Sequence, residues 1–254
     1  MAGVEQVLFE LADGVSRITL NRPEKRNALN AELIAALKTA LARASAEKSA
    51  RVILICGAGK DFCAGLDLVS LDKGNDAEPM EHAAVARNLA ELLLAIRRHK
   101  LPAIAAVQGR ALGGGAGIAT ACDMIAAADD AAIGYPEVNI GFVPALVAAF
   151  LRRSVPEKRL FEILALGQTI AAEEALRIGL ANRVFPSTGF AKAALQFARE
   201  LAGKSPSAVA LLKGLLNQTD SMSLEKAIEA GVHVNAMARM TEDARRGFAG
   251  FTKK

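Results

Sequence analysis

Apolar and polar residues alternate in two short segments near the start of the chain. Residues 6–10 and 15–20 have this period of two, which is typical of strands, and Asp13-Gly14 lies between them. An Asp-Gly pair between apolar runs is typical of the tight turn of a β-hairpin. The pattern therefore predicts two antiparallel strands joined by this turn.

A helix is predicted directly after the hairpin. Asn30 can cap its first turn with its side-chain oxygen. Leu33, Leu37 and Leu41 recur at intervals of four, which places them on one face of the helix. We expect this face to pack on the sheet.

Three later runs are short and almost entirely apolar. They span residues 51–56, 103–107 and 124–128. Such runs are typical of parallel strands that are buried on both faces. A long helix is expected between the first two, at about residues 81–99. Over the first two thirds of the chain, the pattern therefore predicts a repeating unit of strand, strand and helix.

The last part of the chain is helical in pattern. From Glu157 onward, nearly every segment has helical periodicity. We expect a mixed α/β core in residues 1–190 and an all-helical region in residues 191–254. Because the helical region is too short to bury a large core alone, it is expected to pack on the core or on another subunit.

Composition excludes several classes of protein. Of the 254 residues, 52% are hydrophobic and 23% are charged, which excludes an intrinsically disordered chain. No uncharged apolar run reaches the ~18 residues that a membrane-spanning helix needs. The first ten residues lack the basic and apolar regions of a signal peptide. We expect a cytoplasmic protein with no membrane partner.

Charge and side-chain chemistry narrow the choice of partners further. The net charge is only +4, and with one Tyr and no Trp the chain has little aromatic surface on which bases could stack. Three cysteines without paired spacing predict neither a disulfide framework nor a metal site. P-loop, dinucleotide-binding and serine-hydrolase motifs are also absent from the sequence. We expect no nucleic acid, no metal and no separate cofactor.

Two loops rich in small residues follow buried strands. They span residues 62–67 and 109–115, and the second ends in three glycines before a helix predicted at residues 116–122. Backbone N–H groups at such a helix start are unpaired and attract negative charge. One such loop could serve only as a tight turn. Two such loops in one chain predict an anion-stabilising site made of backbone amides.

These loops and several other motifs resemble the enoyl-CoA hydratase/isomerase (crotonase) superfamily. The motifs follow the family's order along nearly the whole chain. They include Asn21-Arg-Pro-Glu-Lys-Arg-Asn27, Phe62-Cys-Ala-Gly-Leu-Asp67, Gly113-Gly-Gly115, Gly134-Tyr-Pro-Glu137 and Gly141-Phe-Val-Pro144.

The resemblance implies a fold, an assembly and a substrate class. The fold would be a crotonase-like α/β spiral of stacked ββα turns, with a C-terminal helical trimerisation region in residues 191–254. The assembly would be a homotrimer or a dimer of trimers. The substrate would be an acyl-CoA thioester, so coenzyme A would enter as part of the substrate and not as a cofactor.

The resemblance also implies an oxyanion hole formed by the backbone N–H groups of Leu66 and Gly114. Removing a proton from the α-carbon of a thioester places negative charge on the carbonyl oxygen. Two preorganised amides aimed at that oxygen stabilise the charge. Because the donors belong to the backbone, the side chain at position 66 is free to vary.

Glu137 matches one of the two glutamates that the family uses as acid and base. The position that matches the other glutamate holds Gly117, which is a departure from the family's pattern. We expect Glu137 to lie in an apolar pocket around Phe142 and Val143, which would raise its pKa towards the range useful for proton transfer.

Contacts with coenzyme A are also implied by the resemblance. Lys25 and Arg26 would contact the coenzyme A moiety, and the backbone at Ala64 and Leu66 would contact its adenine. Lys253, near the C-terminus, would reach the phosphates bound to a neighbouring subunit.

The leading hypothesis is an enoyl-CoA hydratase, which adds water across a 2-enoyl thioester through an enolate. Because Gly117 leaves one glutamate, the alternative is a Δ3-Δ2-enoyl-CoA isomerase, which needs only Glu137 as acid and base. A second alternative is a non-catalytic acyl-CoA-binding subunit with the same fold.

Overall fold

The computed structural model describes residues 5–67 and 78–251. Its strands, in chain order, are β1 (Val7–Ala12), β2 (Val15–Leu20), β3 (Val52–Gly57), β4 (Ala103–Val107), β5 (Arg110–Leu112), β6 (Met124–Ala128), β7 (Ala132–Gly134), β8 (Thr169–Ala171) and β9 (Arg183–Phe185). Its α-helices are α1 (Ala31–Ala46), α2 (Pro79–Arg97), α3 (Gly114–Ala121), α4 (Ala145–Leu151), α5 (Glu157–Ala165), α6 (Ala172–Arg177), α7 (Phe190–Ala202), α8 (Pro206–Thr219), α9 (Leu224–Met240) and α10 (Glu242–Phe251).

The hairpin and the first helix form as predicted. Asp13 and Gly14 both have positive φ, at 50° and 77°, which gives the two-residue turn the twist that suits a hairpin. Asn30 caps α1, because its Oδ1 accepts a hydrogen bond of 2.9 Å from the N–H of Leu33. Leu33 is fully buried, so the predicted apolar face of α1 does enter the core.

The main sheet of the described residues has six strands in the order β1-β2-β3-β4-β6-β9. β1 and β2 are antiparallel, and the pairs from β2 to β9 are parallel. A second, three-stranded sheet has the order β5-β7-β8. Because the main strands are parallel, the loops that follow them meet at one edge of the sheet.

The chain repeats one unit as it passes between the two sheets. β4 is followed by β5 and α3, and β6 is followed by β7 and a 3-10 helix at Pro136–Ile140. In the unit that begins with β3, Cys63 forms a single β-bridge with Ala111 of β5. Stacking these units brings the loop after β3 beside the loop after β4.

Helices cover both faces of the main sheet. α1 and α2 bury Leu33, Leu37, Leu92 and Leu93 in the larger hydrophobic core on one face. α7 covers the other face with Phe190, Ala194 and Ala198, which pack against strand residues such as Val52 and Ile104. α7 begins at residue 190 and packs on the sheet. The predicted division of the chain into two regions at this residue stays a prediction.

A buried lysine ties α8 to the core. The Nζ of Lys213 donates hydrogen bonds to the carbonyl oxygens of Ile96 (3.3 Å) and Leu101 (3.0 Å). It also pairs with Asp123 at 2.7 Å. Lys213 is only 7% exposed, so this ammonium group is held almost out of water by three oxygen acceptors.

Three predictions about local structure need correction. The region after Glu157 is not almost entirely helical, because it contains β8 and β9. These strands have three residues each, which is too short for a period of two to be visible. The helix predicted at residues 116–122 begins at Gly114 and ends at Ala121. A final helix, α10, was not predicted as a separate element.

Among the helices of residues 5–67 and 78–251, none is long and apolar enough to cross a membrane. The cytoplasmic location stays a prediction. Cys56, Cys63 and Cys122 are free, as their spacing indicated.

Candidate active site

Backbone hydrogen bonds join the two loops that the sequence singled out. The N–H of Phe62 donates to the carbonyl of Gln108 at 2.9 Å, and that of Cys63 donates to Arg110 at 3.0 Å. The N–H of Leu112 then donates back to Cys63 at 2.9 Å. The loop after β3 is therefore fixed against the segment that leads into α3.

Leu66 has a backbone N–H that its neighbours leave unpaired. Leu29 runs beside it, donating to the carbonyl of Gly65 at 2.7 Å and accepting from Asp67 at 2.9 Å. In a parallel bridge of this kind, the N–H of the middle residue points away from the partner. Within the described part of the chain, no backbone hydrogen bond uses the N–H of Leu66.

Gly114 supplies a second unpaired N–H. It is the first residue of α3, where N–H groups have no partner inside the helix. The N–H of Gly113 donates to Gly134 at 2.9 Å, and that of Gly117 donates to Gly113 at 2.9 Å. No backbone hydrogen bond among the described residues uses the N–H of Gly114.

The two unpaired donors come from residues that lie against each other. A Cβ added to Gly65 would lie 3.7 Å from the nitrogen of Gly114, and one added to Gly114 would lie 3.7 Å from the Cγ of Leu66. Gly65 has a φ of +96°, and its Cβ would also lie only 2.8 Å from the carbonyl oxygen of Leu112. Glycine is therefore required where the two loops meet.

Glu137 lies beside this pair of loops. It belongs to the 3-10 helix after β7, and β7 is held next to β5 by parallel pairing. A Cβ added to Gly113 would lie 3.2 Å from the Oε1 of Glu137. The carboxylate thus reaches the residue directly before Gly114.

The carboxylate of Glu137 is in an environment that favours its protonated form. Its Oε2 is buried and has no hydrogen-bond partner among the described residues. Burial raises the pKa of Glu137 above the usual value for a glutamate, as predicted. The residues predicted to bury this carboxylate were wrong, because Phe142 and Val143 are themselves 58% and 67% exposed in the single chain.

Aliphatic side chains cover the position that matches the family's other glutamate. Gly117 lies one turn after Gly114 on α3. A Cβ at position 117 would lie 2.6 Å from the Cγ1 of Val147 and 3.5 Å from the Cδ1 of Leu93. Both aliphatic residues are buried. No side chain can be added here without moving a neighbour.

The residues expected to contact coenzyme A lie partly at the same edge. Lys25 and Arg26 are exposed, and the carbonyl of Arg26 accepts a hydrogen bond of 3.0 Å from the N–H of Ala64. This places the basic loop next to the loop of Leu66. The N–H of Ala64 is used in this contact. Lys253 lies outside the described residues.

Sequence reasoning missed an ion pair that joins the two loops. The Oδ1 of Asp61 accepts from both the backbone N and the Nε of Arg110, and its Oδ2 accepts from the Nη2, at 3.0 Å in each case. The Asp61 side chain is only 3% exposed, and its hydrogen bonds with Arg110 lower its pKa below the usual range. No local pattern links these two distant positions.

Replacing Asp61 by Asn is expected to lower the free energy of unfolding by ~1–2 kcal/mol. The amide would face the donors of Arg110 without the charge that strengthens their hydrogen bonds, although the exposure of Arg110 limits the effect. Because the pKa of Asp61 is lowered by folding, its contribution is present above the ordinary aspartate pKa and is lost as the pH falls below it. Urea unfolding at neutral and acidic pH measures both effects.

Asp13→Asn is the matched control for this variant. Asp13 also pairs with an arginine, Arg199, but its side chain is 65% exposed, so its loss should change stability much less. Equal effects of the two substitutions would mean that Asp61 has no special role in joining the loops.

A family model described as enoyl-CoA hydratase/isomerase matches residues 10–254. A relative from Escherichia coli, named 2,3-dehydroadipyl-CoA hydratase, is 34% identical over 253 residues, which cover 99% of this chain and 97% of the relative. The crystal structure of human enoyl-CoA hydratase domain-containing protein 3 is similar with a TM-score of 0.92 at 28% identity, covering 98% and 97% of the two chains.

The crystal structure of an enoyl-CoA hydratase from Mycobacterium smegmatis is similar with a TM-score of 0.91 at 30% identity, covering 98% of this chain and 96% of the other. These likenesses confirm the predicted fold class, an α/β spiral of stacked ββα turns followed by C-terminal helices. Assembly into trimers stays a prediction.

Proposed function

The chain belongs to the enoyl-CoA hydratase/isomerase family, and we propose that it acts on enoyl-CoA thioesters through an enolate intermediate. In this proposal the N–H groups of Leu66 and Gly114 bind the thioester oxygen. Glu137 accepts and returns the proton. Coenzyme A is part of the substrate, and no other cofactor takes part.

One observation carries the proposal. A buried carboxylate oxygen without a partner, the Oε2 of Glu137, belongs to a side chain that reaches Gly113, and the next residue has an unpaired N–H. A carboxylate whose pKa is raised is a suitable general base near neutral pH. A neighbouring pair of amide donors stabilises the negative charge that proton removal creates.

These residues support a 1,3-proton shift without any further group. The carboxylate of Glu137 removes a proton from C2 of a 3-enoyl-CoA, and the electron pair of the broken C–H bond passes into the enolate. The same proton then returns to C4, which leaves a 2-enoyl-CoA with the double bond between C2 and C3. Atoms and charge balance with one acid/base, so the geometry supports the isomerase reaction best.

Hydration of a 2-enoyl-CoA is the second candidate. The names of relatives favour it, since the Escherichia coli relative is itself named a hydratase. Hydration adds the oxygen of water to C3 and a proton to C2. With Gly117 in place of a second glutamate, the water would have to be oriented by Glu137 alone or by a group of another kind.

Mass analysis of products separates the two reactions. We expect purified protein to convert a short 3-enoyl-CoA into the 2-enoyl-CoA with no change in mass. Conversion of the 2-enoyl-CoA into a product heavier by one water would instead identify a hydratase. Calorimetric binding of both thioesters without turnover of either would contradict both reactions and favour a non-catalytic acyl-CoA-binding subunit.

The proposed contacts with coenzyme A depend on charge and position. Lys25 and Arg26 are exposed next to the Ala64 loop, where they can contact phosphates. Each exposed charge is expected to contribute ~1 kcal/mol or less to binding. Arg26 and Ala64 are joined through their backbones, so both segments would approach the same end of the substrate.

Trimeric assembly is also part of the proposal. None of the residues of α9 is buried in the single chain, although the helix carries large apolar side chains. Leu224 is 72% exposed, Ile228 59% and Val232 56%. Exposed apolar surface of this extent on one helix is typical of an interface between subunits.

A further inference from the structure

One face of α3 is covered by aliphatic side chains from two other helices. Gly114 and Gly117 are three residues apart and share this face. Leu89 of α2 lies 3.4 Å from the position of a Cβ on Gly114, and Val147 of α4 lies 2.6 Å from that of a Cβ on Gly117. Leu89 is 5% exposed and Val147 is 3% exposed. The wall of side chains that packs against this face of α3 is therefore apolar and buried.

Val147 is held rigidly in this wall. It lies within a helix, where a β-branched side chain has one strongly preferred rotamer. A change of rotamer that would move this methyl group away from Gly117 is therefore disfavoured. The position of Val147 therefore leaves room only for a glycine at position 117.

The apolar wall also affects where water can bind. A buried water molecule needs two to four polar partners, and a cavity lined by aliphatic groups stays dry. Val147 and Leu93 offer no such partner at position 117. An acidic side chain, which could activate water, has no space there either.

From this packing we propose that Val147 is a specificity-determining residue, which keeps a second acid/base and its water out of the site, so that the enolate formed from a 3-enoyl-CoA is protonated at C4 and no water is added to C3 of the resulting 2-enoyl-CoA. The inference rests on the proposed function, since it concerns the choice between a proton shift and the addition of water at one site. Leu93 supports Val147 by filling the remaining space beside Gly117.

The steric part of the inference is tested without any substrate. Gly117→Ala alone is expected to lower the urea midpoint of unfolding, because its Cβ would overlap Val147. In the Val147→Ala background, the same glycine substitution should lower the midpoint much less or raise it, because the overlap is gone. Equal shifts in the two backgrounds would overturn the proposal, whatever reaction the enzyme catalyses.

The catalytic part is tested by making room for a carboxylate. The double variant Gly117→Glu/Val147→Ala is expected to hydrate a short 2-enoyl-CoA at least ~10²-fold faster than the natural chain, as one added acid/base typically provides. Gly117→Gln/Val147→Ala has the same volume without the acid, and should show no gain. If the glutamate variant does not fold, Gly117→Asp/Val147→Ala replaces it.

Failure of this proposal and failure of the proposed function have different signatures. A folded double variant that gains no hydration over its glutamine control overturns the role of Val147, even if the natural chain is an isomerase. A natural chain that already hydrates a 2-enoyl-CoA as fast as the double variant also overturns that role. Absence of isomerisation by the natural chain, combined with a gain in the double variant, would remove the proposed isomerase activity and leave the role of Val147 supported.

Discussion

Replacing Glu137 by Gln is expected to lower kcat by ~10²–10⁴-fold, the usual contribution of a general acid/base. Glutamine has almost the same shape but cannot accept a proton from carbon and return it. One oxygen of the natural carboxylate, Oε2, is buried and has no partner among the described residues. Steady-state kinetics with a 3-enoyl-CoA and a 2-enoyl-CoA measure the loss.

Binding and pH dependence distinguish a catalytic role of Glu137 from a structural one. Acyl-CoA affinity should be nearly unchanged in the variant, because the amide can occupy the same space. In the natural chain, kcat/KM should fall as the pH falls through the raised pKa of Glu137, since a base must be ionised to remove a proton. Glu32→Gln, on the exposed face of α1, is the matched control and should leave both properties unchanged. Retained turnover in Glu137→Gln would defeat the assignment.

Local patterns were sufficient for much of the architecture. The Asp13-Gly14 turn, the cap at Asn30 and the buried strands each depend on residues within a few positions of one another, which a sequence displays directly. β8 was missed because three residues carry too little periodicity to distinguish a strand from its helical surroundings. Its identity as a strand depends on pairing with β7, which the local sequence does not encode.

The environment of Glu137 shows a different limit. The residue itself was found from a motif, and its raised pKa followed from the expectation of burial. The sequence predicts Phe142 and Val143 as the source of burial, because they are apolar and follow closely in the chain. Their actual exposure depends on how the segment after the 3-10 helix leaves the core, and this is a tertiary property.

Position 117 also shows that a tertiary contact cannot be predicted from the local sequence, here for two residues that are further apart in the chain. The sequence displays a glycine where the resemblance leads one to expect a glutamate, but it gives no reason for the change. The reason suggested by the structure is Val147, which comes from another helix and lies 2.6 Å from the position of a Cβ on this glycine. The Asp61–Arg110 pair could not be predicted either, because a contact between segments far apart in the chain produces no periodic pattern in the sequence.

Replacing Gly114 by Pro is expected to lower kcat by ~10²–10³-fold, the usual effect of removing one oxyanion-hole donor. Proline lacks the N–H but is well tolerated as the first residue of a helix, which is the position of Gly114 in α3. A residue before proline favours an extended backbone with ψ near +120°. Gly113 has φ 50° and ψ −120°, the mirror image of that region, which is equally open to glycine because it has no Cβ.

Gly114→Ala separates the effect of the lost N–H from that of the added side chain. Alanine keeps the N–H and places its Cβ 3.2 Å from the Cδ1 of Leu29, the mobile end of a flexible side chain that can move by a few tenths of an ångström. It should therefore retain most of the turnover, and unfolding midpoints of both variants report whether α3 remains intact. An equal loss of kcat in Gly114→Ala and Gly114→Pro would attribute the effect to crowding. Full turnover in Gly114→Pro would mean that this amide does not bind the thioester oxygen, and the enolate would then need a donor other than the start of α3.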